Sequence, residues 1–166
     1  MRELSVNDLQ FKPFDKIGND WFLLTAGNME NYNTMTASWG GLGVLWSRNV
    51  VNIYVRPQRY TFDFMEKSEY FTMTFFKEEL RDALKYCGSK SGRDVDKAKE
   101  CNLTALKIGD SVSFEEGEYV VLCKKLYATN INPDDFTEKA IIDECYPKKD
   151  YHRMYTAEII KVLKLK

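Results

Sequence analysis

Three short stretches hold most of the residues able to do chemistry. Residues 33–41 (NTMTASWGG) set hydroxyls and small side chains in a row before two glycines. Such a run offers O–H and backbone N–H donors to an anion and lets the backbone approach it closely. A Thr-rich strand entering a glycine turn has the same composition. Residues 56–61 (RPQRYT) put two arginines and a hydroxyl where a strand-like run ends and a helix can begin. A helix N-terminus attracts anions through its unpaired N–H groups, and guanidinium forks match phosphate oxygens. Two solvated arginines would look alike in sequence. Residues 89–93 (SKSGR) form a cationic, hydroxyl-bearing loop with a flexible glycine, suited to closing over a phosphate or to facing water. Together the three stretches point to a phosphate-bearing ligand without saying which.

Other chemistries find little support. Four cysteines (Cys87, Cys101, Cys123, Cys145) form no C-x-x-C pair, and the chain has a single histidine, so we expect reduced thiols and no metal site. No Walker loop, acidic cluster, catalytic triad or G-x-G-x-x-G after a strand is present. A net charge of −1 with acids and bases intermixed argues against nucleic acid. No run approaches the ~20 apolar residues of a membrane span, and the N-terminus lacks the apolar stretch of a signal peptide. The expected location is cytoplasmic.

The elements that must position these residues are mostly strands. Residues 21–27, 34–39, 44–46, 49–55 and 70–76 read as strands, 49–55 (NVVNIYV) most clearly through alternation and β-branching. Pro57 opens a short helix through about Lys67, residues 77–86 form an amphipathic helix, and Asp94 caps a third over 95–101. Residues 104–108, 111–114, 119–128 and 156–163 return to strand, with Glu116-Gly117 as a hairpin turn between 111–114 and 119–128. No linker or repeat divides the chain, so one domain is expected over 1–166. Several strands, a helical insertion and more strands exclude alternating β/α architecture and favour a closed or partly closed antiparallel barrel. Aromatic residues at 14% suit such a β-rich core.

Five ordered pieces, residues 33–41, 47–61, 69–76, 87–97 (CGSKSGRDVDK) and 151–159 (YHRMYTAEI), together resemble the flavin reductase-like, FMN-binding split-barrel family, in particular its flavoredoxin-type branch. The resemblance covers roughly residues 15–163. It implies a mainly β fold, an FMN-binding split β-barrel with short peripheral helices, acting as a homodimer with FMN near the interface. It implies that Thr34, Met35, Thr36, Ala37 and Ser38 line the flavin. Arg56, Pro57, Arg59, Tyr60 and Thr61 would hold its phosphate or ribityl end. Trp39 and Trp46 would wall the pocket, though Trp46 suits a core equally, and Ser89, Lys90 and Ser91 would cover the site. His152 and Tyr155 fall where relatives bring residues to the flavin's redox face. There Thr156-Ala157-Glu158 departs from the glycine that many relatives carry before the acid. The implied activity is transfer of hydride from NADH or NADPH to FMN. Alternatives are an electron-transfer protein reduced by a protein partner, and a flavin-binding module without turnover; the single histidine counts against haem.

Overall fold

A computed structural model describes residues 1–9 and 12–165. Its elements are β1 (Arg2–Leu4), β2 (Phe22–Asn28), β3 (Asn31–Ala37), β4 (Gly40–Leu45), β5 (Arg48–Val55), α1 (Tyr60–Lys67), β6 (Tyr70–Phe75), α2 (Arg81–Ser89), α3 (Lys97–Glu100), β7 (Ala105–Ile108), β8 (Ser111–Phe114), β9 (Tyr119–Asn130), α4 (Ala140–Cys145) and β10 (Arg153–Lys164). The main sheet is antiparallel in the order β3-β2-β6-β9-β10-β5-β4, with β1 added on β10; β7 and β8 form a separate hairpin.

The sheet curls because one face is apolar from end to end. Alternation sends Phe22, Leu24 and Ala26 of β2 inward, and Met35 and Ala37 of β3, at one edge, share a single core with Val51 and Ile53 of β5 and with Leu42 of β4, at the other. The two edges therefore face a common interior, as in a partly closed barrel. Leu23, on the opposite face of β2, joins Leu84 and Cys87 of α2, Ala98 of α3 and Phe114 of β8 in a second cluster, which fixes the helices to the outside of the sheet.

Several sequence expectations need correction. Glu116-Gly117 does not make a hairpin. β8 pairs with β7 through Gly109, whose φ of +57° suits a tight turn, while β9 pairs with β6 and β10. The Gly117 N–H closes a turn on Phe114, and the Glu118 N–H bonds to Phe75, which hands the chain to β6. The first helix starts at Tyr60, not Pro57, because Arg59 is extended and its N–H closes a turn on Arg56. Asp96, not Asp94, caps α3, accepting from the Lys99 N–H at 3.1 Å. Residues 87–89, read as loop, complete α2. Strand β4 begins at Gly40, and Trp46 and Ser47, with φ of +54° and +56°, form the two-residue turn into β5.

Candidate functional site

The geometry starts from β3, an edge strand. Asn28 pairs with Asn31 across a two-residue turn, so alternation leaves the backbones of Thr34 and Thr36 pointing away from β2. The Thr34 carbonyl confirms this by accepting from Lys97 Nζ at 2.8 Å. A cavity of about 390 Å³ flanks this edge and is lined by Asn33, Thr34, Gly92 and Lys97 among others. Farther along β3, a shallower recess of about 380 Å³ is lined by Thr36, Ser38, Trp21, Gly88 and Ser89.

At the Asn33 end two cations, Lys97 and Arg59, come together without an ion-pair partner among the described residues, while Glu30, Asp94 and Asp96 also line the cavity. Lys97 is 4% exposed and donates to the carbonyls of Thr34 and Cys87, and among the described residues no carboxylate pairs with it. Burial, with the Arg59 charge adding to it, lowers its pKa to about 8. Arg59 Nη2 is buried without a hydrogen-bond partner. Arg59 is also the residue preceding α1, and no side chain caps that helix; the Phe62 N–H bonds the Arg59 carbonyl, which leaves those of Tyr60 and Thr61. Asn33 Nδ2 donates to Thr61 Oγ1 at 2.7 Å and ties β3 to this helix start. Gly92 lies directly against the Asn33 amide and the Tyr60 ring, where a Cβ would collide. Arg93 holds the loop down by pairing with Asp63 at 2.9 Å and lying over the Tyr60 ring.

The residues expected at the site divide among several places. Arg59, Tyr60 and Thr61 gather with Thr34, and Ser91 sits beside Gly92 on the covering loop. Thr34 and Thr36 spend their hydroxyls on structure: Thr34 donates to the Leu24 carbonyl, and Thr36 to the Leu84 carbonyl of α2 at 2.5 Å. Met35 and Ala37 point into the core. Ser38 is half-buried in the shallow recess, and Ser89 and Lys90 are exposed at the end of α2. Pro57 is exposed in the turn before α1. Trp46 stands at the β4–β5 tip, edge-on to Tyr127.

Arg56 belongs to a different cluster. It pairs with Asp150, donates to the Cys145 carbonyl at 2.8 Å and lies over the Tyr146 ring. Gln58 joins at Asp150. Tyr146 and His152 share a hydrogen bond of 2.9 Å, and the Trp39 ring packs on His152 with centroids 5.1 Å apart. Burial and the nearby Arg56 charge push His152 down to about 4, so it stays neutral near pH 7. Tyr155 is turned inward to the core, where its hydroxyl donates to Glu66 at 2.6 Å. The structure therefore does not bring it together with His152.

Sequence reading placed Asn33 in its first candidate stretch without giving it a role, and it missed Lys97 and the Tyr146–Asp150 cluster. Lys97 stood in the quoted DVDK run, but its burial beside Arg59 depends on how α3 packs. Among the described residues, no helix is long and apolar enough to cross a membrane.

Comparison with curated proteins by sequence gave no match. Solved structures share the fold. An FMN-binding protein from Thermus thermophilus with bound 1-cyclohex-2-enone has a TM-score of 0.70 and 16% identity, covering 99% of this chain and 81% of that one. Flavoredoxin from Methanosarcina acetivorans has a TM-score of 0.69 and 17% identity, covering 99% and 76%. The NADH:FAD oxidoreductase of Streptomyces globisporus C-1027, in complex with NAD and FAD fragments, has a TM-score of 0.64 and 13% identity, covering 87% and 74%. The model of the flavin reductase like domain matches residues 14–145. With the curled antiparallel sheet and the groove along its β3 edge, this match shows that the chain belongs to the flavin reductase-like domain family.

Proposed function

We infer that the chain binds FMN along the β3 edge, with the phosphate between Arg59 and Lys97, and acts as an oxidoreductase taking hydride from a reduced nicotinamide. One observation carries the reading: two neighbouring cations, one with an orphaned buried donor and one without a carboxylate, lie beneath a loop packed too tightly for a side chain at Gly92. Burying unpaired charge is costly, and a phosphate would relieve both cations at once. The similar structures, an FMN-binding protein and an NADH:FAD oxidoreductase in complex with NAD and FAD fragments, support a flavin as the phosphate bearer.

Bound FMN would supply two-electron chemistry, accepting and releasing hydride equivalents at its ring. This chain's residues would do the holding. The Arg59 fork, the Lys97 ammonium and the first N–H groups of α1 take the phosphate. The outward backbone of Thr34 and Thr36 offers hydrogen bonds to the ring edge. Ser91 and Gly92 cover the phosphate end, and Trp39 against His152 forms the wall beyond Ser38. A neutral His152 shapes that wall and gives up no proton.

A homodimer belongs to the same proposal. Val44, Leu45, Trp46 and Tyr127 are exposed around the β4–β5 tip, while Gly41 and Gly43 leave the neighbouring surface smooth. Light scattering should give twice the chain mass; a monomer at micromolar concentration would remove the shared-site picture.

The direct test is the visible spectrum of the purified protein, followed by anaerobic NADH and NADPH. A flavin spectrum that bleaches with either donor supports the whole reading. FMN that stays oxidised with both would leave binding intact and transfer the reductant's role to a protein partner. No FMN binding would overturn the site itself.

A further inference from the structure

The loop that covers the anion site hangs between two thiols. Cys87 lies in α2 and Cys101 directly follows α3, 14 positions on, with their Sγ atoms 3.9 Å apart. Neither is in a disulfide; Cys87 is buried and Cys101 half-buried. Ser91, Gly92 and Lys97 all lie on the stretch between them. Lys97 is bonded to both cysteines: its Nζ donates to the Cys87 carbonyl at 2.9 Å, and its carbonyl accepts from the Cys101 N–H at 3.1 Å.

We propose that Cys87 and Cys101 form a reversible intramolecular disulfide on exposure to hydrogen peroxide, and that this bond locks residues 88–100 over the anion site. The second half rests on the FMN reading; the first does not. Cys101, the more accessible sulfur, attacks a peroxide oxygen as thiolate, the O–O bond breaks, and a sulfenic acid and one water result. Cys87, once deprotonated, attacks the Cys101 sulfur, the S–O bond breaks, and the S–S bond forms as a second water leaves. Two thiols and one peroxide become one disulfide and two waters; each sulfur loses one electron and the peroxide gains two. The sulfurs must close to about 2.05 Å, a movement that the short α3 passes to Lys97. Burial raises both thiols, Cys87 to about 12, which makes this a slow response to sustained oxidant.

The test treats apoprotein and FMN-loaded protein with hydrogen peroxide, caps the remaining thiols and maps the peptides without reduction. The expected product is lighter by two hydrogens, links the Cys87 and Cys101 peptides, reverts with dithiothreitol and is absent from Cys101→Ser. Cys145→Ser should behave as wild type. Oxidation of Cys101 to sulfinic acid with Cys87 still free, or crosslinking to Cys145, would overturn the pairing. FMN should leave the oxidised protein about threefold more slowly, as expected of a preorganised loop; equal release rates would overturn the lock. If FMN does not bind, mapping on the apoprotein still decides the disulfide, and tryptic cleavage after Lys90 and Arg93 replaces release as the measure of the loop, with unchanged cleavage counting against the lock.

Discussion

Arg56 and Arg59 come from one six-residue motif and meet opposite fates. Arg56 is neutralised by Asp150, bonded to the Cys145 carbonyl and laid over Tyr146. Arg59, three residues on, keeps a buried donor with no partner and has Lys97, not an acid, as its charged neighbour. A paired arginine is part of the scaffold, whereas an unpaired buried one stores affinity for an anion. The counter-charge decides the role, and Asp150 lies 94 positions from Arg56 in the chain.

The largest effect should come from Arg59. Arg59→Ala should weaken FMN binding about a hundredfold, the scale of truncating a buried, charge-assisted partner. The melting temperature of the apoprotein should hold or rise, since an unsatisfied cation is removed. Fluorescence titration and a thermal melt on one preparation check both. Wild-type affinity in the variant would place the phosphate elsewhere. Arg56→Ala should do the reverse: FMN affinity within about threefold of wild type, and a melting temperature several degrees lower as the Asp150 and Cys145 contacts go. If both variants lose FMN equally with unchanged melting, the contrast between the arginines collapses.

Sequence alone carried much of the fold. Alternation in 49–55 and 70–76 marks strands because one face of each is buried, and the ordered motifs point to the barrel. What stayed hidden was long-range. The strand 119–128 has two partners, so Glu116-Gly117 cannot make the hairpin that its composition suggests. Thr34 and Thr36 looked like ligand hydroxyls, but the nearest acceptors are the backbone carbonyls of Leu24 and Leu84. Lys97 carried no role in the sequence, because nothing local says that α3 packs it against β3. The site was legible as a motif around Arg59, but its second cation appeared only with packing.

A smaller effect isolates that second cation. Folding lowers the Lys97 pKa from 10.5 to about 8, so between those values the unfolded chain holds a proton that the folded chain lacks. Apoprotein stability should therefore rise with pH across about 8 to 10.5, the burial penalty being fully present below 8. A bound phosphate restores the ammonium, so FMN binding near pH 8 should take up about half a proton. Calorimetry in two buffers of different ionisation heat measures the uptake, and Lys97→Met should abolish it. Uptake that persists in Lys97→Met would assign the proton to another group.

The smallest effect tests the other arginine through His152. Burial, then Arg56, holds this histidine at about 4 against an ordinary 6.5, so between those values the unfolded chain again binds the extra proton. Its contribution is complete above 6.5 and is lost as pH falls toward 4. In Arg56→Gln the cation is gone while Asp150 remains, which favours the imidazolium. The His152 pKa should rise, and the acid limb of stability attributable to it should shrink. Because the chain has a single histidine, its imidazole resonances can be followed by NMR without assignment. A pKa that stays near 4 in Arg56→Gln would mean that burial alone sets it, and that Arg56 shapes the wall through its contacts with Tyr146 and Cys145 but not through its field.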